Sequence, residues 1–81
     1  MEDINKIYTV ISSFKYVITD ITLDDEVLEL SDEQGKIFRF NINDDVQLQI
    51  KRYISVMKKI RSDGMEFNSL DMRFERPVMK I

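Results

Sequence analysis

The feature that most constrains this chain is an apolar stripe over residues 45–61. Val46, Ile50, Tyr53, Ile54, Met57 and Ile60 recur at helical spacing. Lys51, Arg52, Lys58 and Lys59 lie outside the stripe. Asn43-Asp44 offers a cap at the start, and Gln47 stands three residues after Asp44 in capping-box register. Arg61 falls in the last turn, where positive charge suits the helix dipole, and Gly64 fits a C-terminal cap. A helix with one apolar face needs an apolar surface to cover. A chain of 81 residues holds one small domain, residues 1–81, so that surface must come from the flanking segments.

Those segments read mainly as strands. Residues 16–23, 26–31 and 36–42 read as three strands, the first of them rich in β-branched and aromatic side chains. In the first, Val17, Thr19, Ile21 and Leu23 fall on one face and Tyr16, Ile18, Asp20 and Thr22 on the other. Leu28 and Leu30 point inward from the second. The third sets Phe38, Phe40 and Ile42 against Ile37, Arg39 and Asn41. Asp24-Asp25 and Asp32-Glu33-Gln34-Gly35 are the turns. Ahead of them, residues 3–13 form a helix with Ile4, Ile7, Tyr8 and Ile11 on one face. After Gly64 the chain is extended: Leu70, Met72 and Phe74 alternate with Asp71, Arg73 and Glu75, and apolar residues resume at Val78, Met79 and Ile81. Pro77 cannot donate to a ladder, which places this tail at a sheet edge. The expected class is α+β: an antiparallel sheet of four to five strands with two helices on one face, in the order α-β-β-β-α-β(-β).

Composition narrows the chemistry. The chain has neither His nor Cys, so it lacks the commonest general base, thiolate nucleophiles and the usual zinc ligands. The net charge of −3 argues against a dedicated nucleic-acid binder. That charge is divided unevenly: residues 1–35 carry two basic and nine acidic side chains, residues 36–81 ten basic and six acidic. No apolar run reaches the roughly 18–20 residues of a membrane span. Glu2 and Asp3 stand where a signal peptide has positive charge, so the chain is expected to be soluble.

The acidic pairs Asp24-Asp25, Asp44-Asp45 and Asp20 with Glu29 fit no calcium loop, and turn and cap chemistry accounts for two of them. The basic face of helix 45–61 is available to phosphates, and the alternative function is a small nucleic-acid-binding or regulatory module using it. No aromatic residues interleave with those cations for base stacking, and a solvated face explains them. Met57 and Met72 fill core gaps. Arg73-Phe74-Glu75-Arg76-Pro77 reads equally well as a guard against edge aggregation or as the rim and anchor of a strand-addition site.

The run Ser69-Leu70-Asp71-Met72-Arg73-Phe74 resembles the Val/Ile-Asp-Leu-Arg-Tyr/Phe stretch near the C-terminus of the bacterial cell-division proteins FtsQ and DivIB. In that family a strand hairpin with a Gly turn precedes an amphipathic helix, and a Gly-containing turn leads into the Asp-Leu-Arg strand. Here the matching parts are Val27–Leu30, Gly35, Ile37–Ile42, the helix 45–61, Asp63-Gly64 and Leu70–Phe74. The order of elements is similar over most of the chain, whereas the sharp motif covers about six residues. Departures are Glu26 where an aromatic residue often opens the second strand, Asp24-Asp25 where some members carry a basic residue, and Arg76-Pro77 in place of a Gly-containing turn.

The resemblance implies a non-enzymatic interaction domain of the divisome with no cofactor. Family members are single-pass membrane proteins with a POTRA domain and this β domain outside the cytoplasm. No membrane segment and no POTRA-sized segment is present here, so the resemblance implies a domain of a longer chain or a stand-alone relative. The implied partners are FtsB/FtsL-like subunits, with FtsB adding a strand at the C-terminal edge. Arg73 is then expected to meet an acidic partner residue, and Phe74 to be the aromatic anchor. Glu75, Arg76, Pro77 and Val78 are expected to offer backbone, and Asp71 to support the strand locally. Self-association through the exposed edge is a further possibility.

Overall fold

The computed structural model describes residues 2–81. Its elements are α1 (Glu2–Ser13), β1 (Ile18–Asp24), β2 (Val27–Asp32), β3 (Ile37–Asn41), α2 (Val46–Asp63), β4 (Ser69–Asp71) and β5 (Val78–Lys80). The fold is α+β in the expected element order, with one five-stranded sheet ordered β1-β2-β3-β4-β5. Three of the pairings are antiparallel, as expected, and β3 with β4 is parallel. The connection explains the difference. A helix of 18 residues carries the chain back along the sheet, so the next strand starts from the same end as β3.

The capping group of α2 is one residue later than the capping-box spacing suggests. Asp45, in extended conformation, accepts a hydrogen bond from the Leu48 N–H at 3.1 Å. Asp44 accepts from the Asp45 N–H instead. At the other end Gly64 takes the left-handed conformation, φ 65°, and its N–H reaches the Ile60 carbonyl. Gly35, φ 84°, closes the β2–β3 hairpin, where the Asp32 carboxylate accepts from the N–H groups of Gln34 and Lys36. The β1–β2 turn is Asp25-Glu26 rather than Asp24-Asp25, since Asp24 still pairs with Val27.

Both helices lie on the face that carries Leu28, Leu30, Phe38, Phe40 and Leu70, all buried. Val46, Ile50, Tyr53, Met57 and Ile60 of α2 are buried with them, and Ile54 is half-buried. Aromatic rings knit the two layers. Phe38 lies 5.9 Å from Tyr53, 5.2 Å from Tyr16 and 5.8 Å from Phe67, and Phe14 meets Tyr53 edge-on at 5.5 Å. In α1, Ile7 and Ile11 are buried, while Val10 and Phe14 pack partly against the core and Tyr8 stays largely in solvent. The stripe of α1 is therefore rotated toward Val10 and Phe14. Among the described residues no helix is long and apolar enough to cross a membrane.

Strict alternation fails in β1. The register breaks between Ile18 and Asp20, a bulge that gives Ile18 and Asp32 one face and Asp20 and Ser31 the other. Tyr16 and Ile18 consequently pack against the core, and Val17 is exposed. Beyond the bulge, Ile21 and Leu23 pair with Leu30 and Leu28 on the helix-side face, as their own alternation requires. The extra residue, Thr19, is what moves Tyr16 and Ile18 from the face expected of them.

Two buried polar groups have opposite consequences. The Gln49 side chain is fully buried and clamps the end of β3: its Oε1 accepts from the Asn41 N–H at 2.7 Å and its Nε2 donates to the Asn41 carbonyl at 2.8 Å. The Tyr53 hydroxyl is buried with no hydrogen-bond partner among the described residues. Burial, with Tyr16 nearby, raises its pKa despite the Arg61 charge. Gln49→Leu is expected to destabilise by about 2 kcal/mol, because it orphans the buried Asn41 N–H and leaves the Asn41 carbonyl only the long bond from the Asp44 N–H at 3.4 Å. Tyr53→Phe is expected to stabilise by about 1 kcal/mol. Urea denaturation of the two variants beside the parent chain measures both.

Candidate functional site at the C-terminal edge

The sheet ends at β5, which among the described residues has β4 on one side and no strand on the other. β4 is short because its own side chains end it. The Asp71 carboxylate accepts from the Arg73 N–H at 3.1 Å, a local turn that bends the chain away from the ladder. Met72 remains buried, its carbonyl accepting from Arg52 Nη1 of α2 at 3.3 Å. Residues 73–77 then form the connection, and β5 begins at Val78 directly after Pro77. Asn68 holds the far end of β5: its N–H donates to the Lys80 carbonyl at 2.7 Å and its side-chain amide to the Ile81 carbonyl at 3.0 Å.

The six residues expected to face a partner are thus divided between a loop and a strand. Arg73, Phe74, Glu75, Arg76 and Pro77 lie in the β4–β5 connection, and Val78 opens the edge strand. The edge backbone is Val78–Lys80, so Glu75, Arg76 and Pro77 do not themselves sit in the ladder. Met79 and Lys80 complete that edge; Met79 enters the sequence reading only as part of the apolar tail, and Lys80 is missed. The signal for them was Pro77, since a strand that starts after a Pro runs on from there. Phe74 is 51% exposed. Glu75 and Pro77 line a shallow groove of about 340 Å³ with Lys51, Arg52, Ser55 and Val56 of α2.

Electrostatics fix the loop's first residues. Arg73 Nε lies 2.8 and 3.0 Å from the two Asp71 carboxylate oxygens, and its Nη2 lies 2.5 Å from Oδ2. The same guanidinium sits 5.3 Å from the centre of the Phe74 ring. Nη1 is outside these bonds. Asp71 is the local support expected of it, and it is buried rather than wet. Burial pushes its carboxyl up, but hydrogen bonds from Arg73 and the charges of Arg73 and Arg39 outweigh that and hold its pKa below the ordinary value of 3.8. Arg39 in turn pairs with Glu29 at 3.0 Å, so a row of alternating charge crosses the open face of the sheet from Glu29 to Arg73.

The other candidates come apart. Asp20 lies opposite Ser31 and Glu29 opposite Thr22, so the two carboxylates are not partners across the ladder. Asp45 is occupied in capping. Among the described residues no group of three or more His, Cys, Asp or Glu is placed to hold a metal ion. Of the basic residues on helix α2, Arg52 is drawn inward to Met72, and Arg61 donates to the Phe14 carbonyl and stacks on Phe14 and Tyr16. Lys51, Lys58 and Lys59 remain exposed. No family model matches the chain, and no curated protein matches it.

Asp71→Asn is expected to lower stability at neutral pH and to leave Phe74 less ordered. A carboxyl whose folded pKa is depressed contributes stability above its unfolded pKa, and that contribution is lost as pH falls through the lower folded value. The gap between the parent chain and Asp71→Asn should therefore be full at pH 6–7 and close below about pH 4. Thermal melts across that pH series measure it.

Proposed function

We propose that this chain is a non-enzymatic protein–protein interaction domain that binds by strand addition at β5, in the manner that its resemblance to the FtsQ/DivIB β domain implies. The observation that carries this reading is a free sheet edge adjoining a loop whose aromatic residue, Phe74, is half in solvent while Arg73 before it is held by Asp71. Backbone groups of Val78–Lys80 supply the register. Phe74 supplies the anchor. Arg73, held in place by Asp71, presents its remaining Nη1 to an acidic residue without first losing rotamer freedom. The partners in this reading are FtsB/FtsL-like divisome subunits, on the outer side of a bacterial cell membrane, with no cofactor and no nucleic acid. The basic helix is the weaker surface, because two of its five cations serve the fold.

The test is titration of the chain with the soluble part of an FtsB–FtsL pair. Binding is expected, with Phe74→Ala reducing affinity about tenfold or more. Its unfolding midpoint should change little, since a half-exposed loop residue contributes within about 0.5 kcal/mol. Absence of binding, or an affinity indifferent to Phe74, counts against the proposal. A steep salt dependence that follows Lys58 and Lys59 points instead to phosphate recognition by α2.

A further inference from the structure

We propose that β1 is a second docking edge, and that its occupant is an extended segment in which apolar and basic residues alternate. β1 is the other end of the sheet and, at seven residues, more than twice the length of β5. Among the described residues its outer backbone edge has no strand beside it. The helix layer buries Leu28 and Leu30 of β2 but does not close over β1 beyond its bulge. As a result Ile21 and Leu23, which point to the helix side, are 41% and 43% exposed although their cross-strand partners Leu30 and Leu28 are fully buried. The core surface continues past its cover as an apolar ledge beside an open edge. An added strand with apolar residues on that face would extend the core by one strand and cover the ledge.

The opposite face of β1 names the other half of the partner. Asp20, Thr22 and Asp24 share it, and the ion pairs among the described residues, Glu29–Arg39 and Asp71–Arg73, leave Asp20 and Asp24 without a cation. At the turn the same face opens into a depression of about 750 Å³ lined by Thr22, Asp24, Asp25, Glu26, Val27, Glu29 and Asn43. Four carboxylates border it, and only Glu29 has a cationic partner. A Lys or Arg two residues apart from the next on an incoming strand falls on this face at each step. One strand thus meets both requirements through its own alternation.

Charge also selects against a second copy. Two β1 strands paired antiparallel about Ile21 would place Asp20 opposite Thr22 and bring Asp24 of each copy to the same face beside the other's bulge, gathering four carboxylates there with no cation among them. The β5 strand of a copy is only three residues long, and its helix-side residue, Met79, already packs on its own core. A basic alternating segment has neither defect.

The probe is a short blocked peptide of alternating Lys and Val, compared with a peptide of the same composition in which the Lys and Val form two blocks. Binding to the whole chain is followed by fluorescence anisotropy at about 0.15 M salt, where long-range attraction is screened. Amide exchange locates the site. The alternating peptide is expected to bind at least about tenfold more tightly than the blocked arrangement and to slow exchange in residues 18–24. Ile21→Lys and, independently, Asp24→Lys should each weaken it about tenfold while the melting temperature stays within a few degrees. Equal affinity for the two peptides overturns the proposal, as does protection at 78–80 in place of 18–24, or indifference to both substitutions. Concentration-dependent self-association that protects 18–24 without peptide also overturns it. The β5 reading stands or falls separately, on Phe74 and residues 78–80.

Discussion

The contact between Tyr53 of α2 and Phe38 of β3 is the joint on which the rest of the molecule turns. Phe38 is fully buried in the middle strand of the sheet, and Tyr53 is fully buried in the middle of the long helix. Tyr16, Phe67 and Phe14 close around the pair from the β1 side, the β4 side and the end of α1. The packing decides where the helix lies and hence where β4 begins. It also explains why an unpartnered hydroxyl is tolerated at Tyr53, since its ring makes three aromatic contacts that outweigh one orphaned group. The Gln49 clamp does the complementary work at the helix N-terminus, tying α2 to the last residue of β3 through that residue's own backbone.

Placing α2 over β3 has a cost in coverage. Two helices span the middle of a five-stranded sheet and leave both edges exposed. The edges differ because the chain reaches them differently. β5 arrives after a short loop that Asp71 and Arg52 hold at its start, through Arg73 and the Met72 carbonyl. β1 arrives through a bulge and runs long, carrying the strip of apolar surface that the helices do not reach. The uneven distribution of charge along the sequence follows the same geometry. The acidic N-terminal half builds β1 and β2, and the basic C-terminal half supplies α2 and the β5 edge.

The elements themselves were legible because each had a pattern of sufficient length. The helical spacing from Val46 to Ile60, the alternation of Leu28 with Leu30 and Phe38 with Phe40, and Gly35 and Gly64 all act locally, and the folded chain keeps every one. Three features were not legible: two depend on a crossover distant in sequence or on a count of one, and the third on a local side-chain bond that overrides a period-2 pattern. The parallel pairing of β3 and β4 is set by the length of the crossover, not by the residues of either strand. The bulge at Thr19 inserts a single residue into an otherwise regular alternation, and nothing about Tyr16 or Ile18 distinguishes the two faces. The division of the C-terminal stretch turns on the Asp71 carboxylate receiving both the backbone and the side chain of Arg73.

That last point bears on what the Leu70–Val78 run can do. Read as one continuous strand, it would put Phe74 on the same face as Leu70 and Met72 and bury all three. Asp71 prevents this by bending the chain two residues early, which leaves Leu70 and Met72 in the core and releases Phe74 to solvent. The exposed aromatic ring is therefore a consequence of the Asp-x-Arg spacing rather than of the hydrophobic pattern. The same ion pair that ends the strand lays the guanidinium beside the ring and sets it next to the groove that α2 makes with Glu75 and Pro77. A chain that only needed to blunt its edge had simpler means, such as a further charge on β5. Stopping β4 with a pinned arginine leaves an exposed aromatic ring beside a free edge, and the proposed recognition role rests on that combination.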